Sequence, residues 1–201
     1  MKPNYTHLIL VLDASGSMTG LTKATIEGVN SLVLNQIAQP GALSTALYTF
    51  NHKVHEVREF QLLNEQNYIP MGSTALFDAV CTAIDTEGKR LEQKAEWDRP
   101  DKVVVVIVTD GEENASETHN LDGVKQRVSL QHDTYQWEFV FLGANIDAFA
   151  AGKTYGISRS STLQWQPDAN SIHVMYASVG QSMSNYRSGV TAGVDLTNPT
   201  A

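Results

Sequence analysis

Two unbroken apolar runs, Leu8-Ile9-Leu10-Val11-Leu12 and Val103-Val104-Val105-Val106-Ile107-Val108, each lead into a turn that carries an aspartate: Asp13-Ala14-Ser15-Gly16-Ser17 and Thr109-Asp110-Gly111. A run without polar alternation marks a strand covered on both faces, and such strands belong to parallel sheets sheathed by helices. The segments between the runs must therefore supply those helices.

The periodicity agrees. Ile26, Val29, Val33 and Ile37 recur at steps of three and four, which predicts one face of a helix that Pro40-Gly41 stops. Ser44 to Phe50 and Val54 to Phe60 read as strands joined by Asn51-His52-Lys53, a hairpin whose second strand is antiparallel at the sheet edge. Residues 61–74 form an amide-rich loop ending in Pro70-Met71-Gly72-Ser73-Thr74, with Thr74 at or beside the N-cap of the next helix. Leu76, Val80, Ile84 and Leu91 give that helix its buried stripe, and Lys89, Arg90, Glu92 and Lys94 its solvated end. A polar helix from about Glu117 to Gln131, a strand from Trp137 to Leu142, a short helix from Asp147 to Tyr155 and an edge strand from Ser161 to Trp165 follow. Ile172, Met175, Val179, Met183 and Tyr186 stripe a last helix. This alternation predicts a doubly wound α/β fold, with a mostly parallel central sheet, one antiparallel edge strand and helices on both faces. We expect a single domain over residues 1–187 and a flexible polar tail over 188–201.

Composition narrows the partners. The chain of 201 residues is 42% hydrophobic, enough for one well-cored domain, and its net charge of −8 repels phosphate backbones and anionic membranes. Only five strongly apolar residues precede Asp13, too few for a signal-peptide core or a membrane span, so the expected location is the cytosol. Cys81 is the one cysteine, which excludes an intramolecular disulfide and a cysteine-rich zinc site, and it reads as a buried thiol.

In an open α/β sheet, ligands bind outside the carboxyl ends of the central strands, where the strand order reverses. Asp13 and Asp110 fall at that edge. Asp13, Ser15 and Ser17 from the first turn, Thr74 at the head of a helix and Asp110 from the second turn would then converge. Magnesium asks for six oxygens at about 2.0 to 2.1 Å and keeps water in part of its shell, a demand that two carboxylates and three hydroxyls suit; manganese or calcium are the substitutes. No histidine or thiolate joins the set, which predicts against zinc and copper. Taken alone, Asp13, Ser15 and Ser17 also suit a helix N-cap. Gly16-Ser17 lacks the Gly-Lys-Ser/Thr of a phosphate loop. Glu112, Glu113 and Asn114 lie on the same rim, as a solvated loop or as a surface that selects partners. His52 and His55, three apart on a hairpin, face opposite ways, and the other histidines show no ligand spacing.

The order Asp-x-Ser-x-Ser, Gly-x-Thr-Ala-Leu and Thr-Asp-Gly, each at a strand end or helix start, resembles the von Willebrand factor A-type domain with its metal ion-dependent adhesion site, over roughly Thr6 to Trp165. The resemblance implies that Ser15 and Ser17 coordinate the metal directly and Thr74 directly or through water. It implies that Asp13 and Asp110 act through water and hydrogen bonds, and that a partner protein's Asp or Glu completes the octahedron. Small bacterial and phage members of the family commonly work beside ring-shaped ATPases, which adds an adaptor role to the expectations. The rival is a metal-dependent phosphoryl-transfer enzyme of the haloacid dehalogenase type. It expects a second aspartate two residues after the first, and Ser15 stands there.

Overall fold

A computed structural model of the chain describes residues 1–57 and 61–197. The strands are β1 (Lys2–Asp13), β2 (Ala42–Phe50), β3 (Val54–Val57), β4 (Pro100–Thr109), β5 (Glu138–Gly143) and β6 (Thr162–Gln164). The helices are α1 (Thr22–Ile37), α2 (Leu76–Glu92), α3 (Leu121–Tyr135), α4 (Ala148–Tyr155) and α5 (Ala169–Arg187). Among the described residues the sheet order is β3-β2-β1-β4-β5-β6, parallel except for the β2–β3 hairpin at one edge. The fold is therefore the doubly wound architecture that the apolar runs demand.

Side-chain alternation divides the interior in two. Leu8, Leu10, Leu12, Val104, Val106 and Val108 pack toward α1 and α5. Ile9, Val11, Val103, Val105 and Ile107 pack toward α2, α3 and α4. Successive strand side chains point to opposite faces, so both sides of β1 and β4 are apolar only because both are covered.

Four sequence expectations shift. On α1, Ile37 is 58% exposed while Gly28, Leu32 and Gln36 are buried. Gly28 lies so close to α5 that an added Cβ would come within 2.2 Å of the Tyr176 ring, so the helix meets α5 at a glycine that an apolar count passes over. Helix α3 starts four residues later than expected. Asn120 caps it, and the backbone N–H groups of Glu117, Thr118 and His119 donate to the Asp78 carboxylate on α2 instead of opening a helix. Arg90 is not simply solvated, since it bridges Glu87 and Glu56. The segment after α5 is not free over residues 188–197. Val194 and Leu196 are buried, Ser161 Oγ donates to the Val194 carbonyl at 2.9 Å, and the Leu196 N–H donates to Ser160 O at 2.7 Å. Residues 58–60 of the expected second hairpin strand, and 198–201 of the expected tail, lie outside the described residues.

Candidate metal centre

Strand β1 sits between β2 and β4, so the connections leaving its carboxyl end and that of β4 run in opposite directions, and a crevice opens there. Asp13 is the last residue of β1, and Asp110 directly follows β4. After Ser15 the chain turns through a 3-10 segment, Gly16–Leu21, into α1. That tight turn returns Ser17 over the crevice.

Four of the five expected residues form one hydrogen-bonded chain. The Ser15 N–H donates to Asp13 Oδ1 at 2.7 Å, Ser15 Oγ and Ser17 Oγ are 3.1 Å apart, and Ser17 Oγ donates to Asp110 Oδ1 at 2.6 Å. Thr74 joins by placement rather than by a bond to these four. Its N–H donates to Asn114 Oδ1 at 2.9 Å, its carbonyl accepts the Asn114 N–H at 3.0 Å, and its hydroxyl faces Gly111, where a Cβ would stand 3.9 Å away. Thr74 is not the N-cap of α2; it lies one residue before Ala75, which holds that position without a side-chain hydrogen bond. Asp13, Ser15, Thr74 and Asp110 are buried, and Ser17 is exposed, so the crevice opens to solvent on the Ser17 side.

Residues beyond these five hold them in place. Thr109 Oγ1 donates to Asp13 Oδ2 at 2.6 Å, Tyr68 Oη donates to the Asp13 carbonyl at 2.6 Å, and Asn145 Nδ2 donates to the Asp110 carbonyl at 3.0 Å. The loop before α2 is sewn to the motif through the Met71 N–H on Ala14 O and the Gly16 N–H on Gly72 O, both at 2.9 Å. Gly72 has φ of 75°, a left-handed conformation suited to glycine. Of these, Thr109 and Gly72 belong to the sequence motifs; Tyr68 and Asn145 carry no signal that sequence spacing could reveal.

The rim residues divide. Glu112 is exposed, but Glu113 is committed to structure: its Oε1 accepts the N–H groups of Ala115 and Ser116, and its Oε2 accepts the Phe77 N–H in the first turn of α2 at 2.9 Å. Glu113 thus spends its carboxylate on backbone donors of the protein itself. A helix start leaves backbone donors without partners, and this carboxylate satisfies one from a distant loop.

Burial pushes the Asp13 carboxyl up, against the hydrogen bonds from Thr109 and Ser15, and the nearby Asp110 charge pushes the same way. Burial likewise raises Asp110, with the Ser17 hydrogen bond opposing it. Among the described residues no lysine, arginine or histidine pairs with either. Two buried carboxylates without a counter-charge among the described residues, surrounded by hydroxyls, are a donor set that fits a hard divalent cation. Among the described residues no three histidine, cysteine, aspartate or glutamate side chains cluster in a way that could hold a metal, so hydroxyl oxygens are an essential part of that set.

No protein-family profile and no curated protein sequence matches the chain. Solved structures do match in fold. Proximal thread matrix protein 1 from the mussel byssus, with a zinc-occupied MIDAS motif, superimposes with a TM-score of 0.62 at 14% identity, covering 92% of this chain and 47% of its own. The manganese-loaded TRAP protein of Plasmodium vivax gives 0.58 at 16% identity, over 87% of this chain and 73% of that one. The vWF domain of the type V pili tip protein Mfa5 from Porphyromonas gingivalis gives 0.57 at 11% identity, over 99% and 98%. The chain thus spans about half the length of the mussel protein and nearly all of the Mfa5 domain.

Proposed function

We propose, for a chain whose fold is that of the von Willebrand factor A-type domain, that it is a divalent-metal-dependent protein-binding module. The observation that carries this reading is the buried pair Asp13 and Asp110, which has no cationic partner among the described residues and is ringed by Ser15, Ser17 and Thr74. The three hydroxyls would hold the cation, and the two carboxylates would orient them and neutralise part of its charge. A cation held mainly by neutral oxygens would supply an open position with residual positive charge, suited to an aspartate or glutamate of a partner protein. Magnesium is the metal we assign, with manganese or calcium able to replace it. An adaptor role beside a larger complex, including a ring-shaped ATPase, fits a module of this size.

The metal face is read as non-catalytic. A phosphoryl-transfer aspartate needs a carboxylate oxygen free to attack, and here Asp13 Oδ1 and Oδ2 are each engaged, by the Ser15 N–H and the Thr109 hydroxyl. The test is a pull-down from the native host with magnesium or with chelator, alongside calorimetric titration of the chain with magnesium and manganese. Metal binding and a magnesium-dependent partner, both lost in Asp13→Ala, are the expected result. A chain that binds neither ion overturns the reading.

A further inference from the structure

The amino-terminal end of the same sheet carries a second polar constellation. His7 on β1 and Ser44 on β2 are register partners, and their side chains meet at 2.7 Å, His7 Nδ1 to Ser44 Oγ. The other ring nitrogen, Nε2, lies 3.1 Å from Glu87 Oε2 on α2. Glu87 is itself held, accepting from Tyr48 Oη at 2.6 Å and from Arg90 Nη1 at 2.5 Å. His7 and Glu87 are almost wholly buried, and Ser44 is half-buried. A hydroxyl within hydrogen-bond reach of an imidazole that a carboxylate orients is the arrangement that activates a serine nucleophile.

This chain of groups opens on a cavity of about 350 Å³ lined by His7, Ser44, Ala46, Arg90, Leu91 and Lys94. Lys94 has no carboxylate partner among the described residues; its Nζ stands 3.4 Å from Tyr5 Oη, which in turn donates to Ser44 Oγ at 2.8 Å. Tyr5 therefore donates at the serine oxygen, and the Lys94 ammonium stands behind it on the Tyr5 hydroxyl. His7 precedes Asp13 by six residues of extended strand, so this cavity lies about 20 Å from the metal crevice.

We propose that Ser44, His7 and Glu87 form an acyl-transfer site that hydrolyses small carboxylic esters. Neutral His7 donates Nε2–H to Glu87 and accepts the Ser44 proton at Nδ1. As the bond from Ser44 Oγ to the ester carbonyl carbon forms, that proton passes to Nδ1. When the ester C–O bond breaks, it passes from His7 to the departing alkoxide. Water then attacks the acyl-serine, giving one proton to His7, which returns it to Ser44 Oγ as the acid leaves. The net reaction is ester plus water to acid plus alcohol. Tyr5 and Lys94 are the donors available to the carbonyl oxygen as charge develops on it. Glu87 is a positioning residue that fixes the tautomer of His7.

The experiment uses the full chain with an alkyl fluorophosphonate, followed by intact mass and peptide mapping, in the presence of EDTA. One adduct at Ser44 with loss of fluoride is expected. No adduct, or an adduct at another residue, overturns the proposal without the need for any variant. Turnover of p-nitrophenyl acetate should vanish in Ser44→Ala and slow on the order of a hundredfold in His7→Gln. Glu87→Gln should lower kcat and leave KM unchanged. Turnover equal to wild type in folded Ser44→Ala sinks the idea, and a change of KM alone removes Glu87 from the site.

Discussion

Asp13 is the residue on which both the metal reading and the local fold turn, and the two can be separated. Its carboxylate is buried, so the charged form is disfavoured without a counter-ion, yet each oxygen accepts one hydrogen bond. In Asp13→Asn the amide oxygen can still accept the Ser15 N–H, and the NH2 can donate to Thr109 Oγ1, whose own proton then turns to the Gly111 carbonyl at 3.1 Å. The metal-free variant should therefore melt no lower than wild type. Its affinity for manganese should fall on the order of ten- to a hundredfold, the usual cost of losing a charged group that orients metal ligands. Calorimetry on the metal-free chain and manganese titration check the two directions. A variant that lost stability but kept affinity would show that Asp13 serves the fold alone. Asp13, Ser15, Ser17 and Asp110 were legible because polar residues at the ends of apolar runs are conspicuous, and Thr74 because it stands where a loop meets the stripe of a helix. Tyr68 and Asn145 were not, because they reach the site from loops whose course no local periodicity describes.

Helix α2 shows why some elements could be read and others could not. Its stripe of Leu76, Val80, Ile84 and Leu91 is buried as the spacing predicts, while its start depends on a loop more than thirty residues downstream. Glu113 and Ser116 accept the N–H groups of Phe77 and Asp78, and Asp78 in return accepts three successive N–H groups from residues 117–119. Sequence reading gave those residues to α3 because local propensity contains no term for a distant carboxylate. The same blindness applies to the last described segment, whose small polar composition hides the burial of Val194 and Leu196. Because Glu113 caps α2 while Glu112 faces solvent, the two should respond differently. Glu113→Ala should lose about 1 to 2 kcal/mol of stability, within the range for a lost helix cap, whereas Glu112→Lys should stay within about 0.5 kcal/mol. Urea unfolding of both variants in EDTA provides the measurement. Equal stability losses would mean that the loop geometry, rather than the Glu113 carboxylate, holds the helix start.

The sheet joins two ends with opposite electrostatic demands, and this should set the acid stability of the whole chain. At the carboxyl edge, burial raises Asp13 and Asp110, so acidification of the metal-free chain relieves a cost there. At the amino edge, burial also pushes Glu87 up, but the hydrogen bonds from His7 and Tyr48 and the charge of Arg90 outweigh it and hold its carboxyl below the ordinary value of 4.5. Asp78 behaves alike: burial is outweighed by the N–H groups of Glu117, Thr118 and His119 and by the His119 ring. A carboxyl lowered in the folded state binds protons more readily when unfolded. Its contribution is thus fully present above the unfolded pKa and is lost as pH falls through the folded one. The window for Glu87 therefore opens near 4.5 and extends below it. Glu87→Gln cannot ionise, and it should be less stable than wild type at neutral pH. The gap between the two should narrow as pH falls from about 5 to about 3. Thermal melts of both chains in EDTA across that range make the comparison, with the carboxyl-edge aspartates common to both and cancelling in the difference. Parallel curves would place the acid sensitivity elsewhere and leave the Glu87 cluster without a role in it.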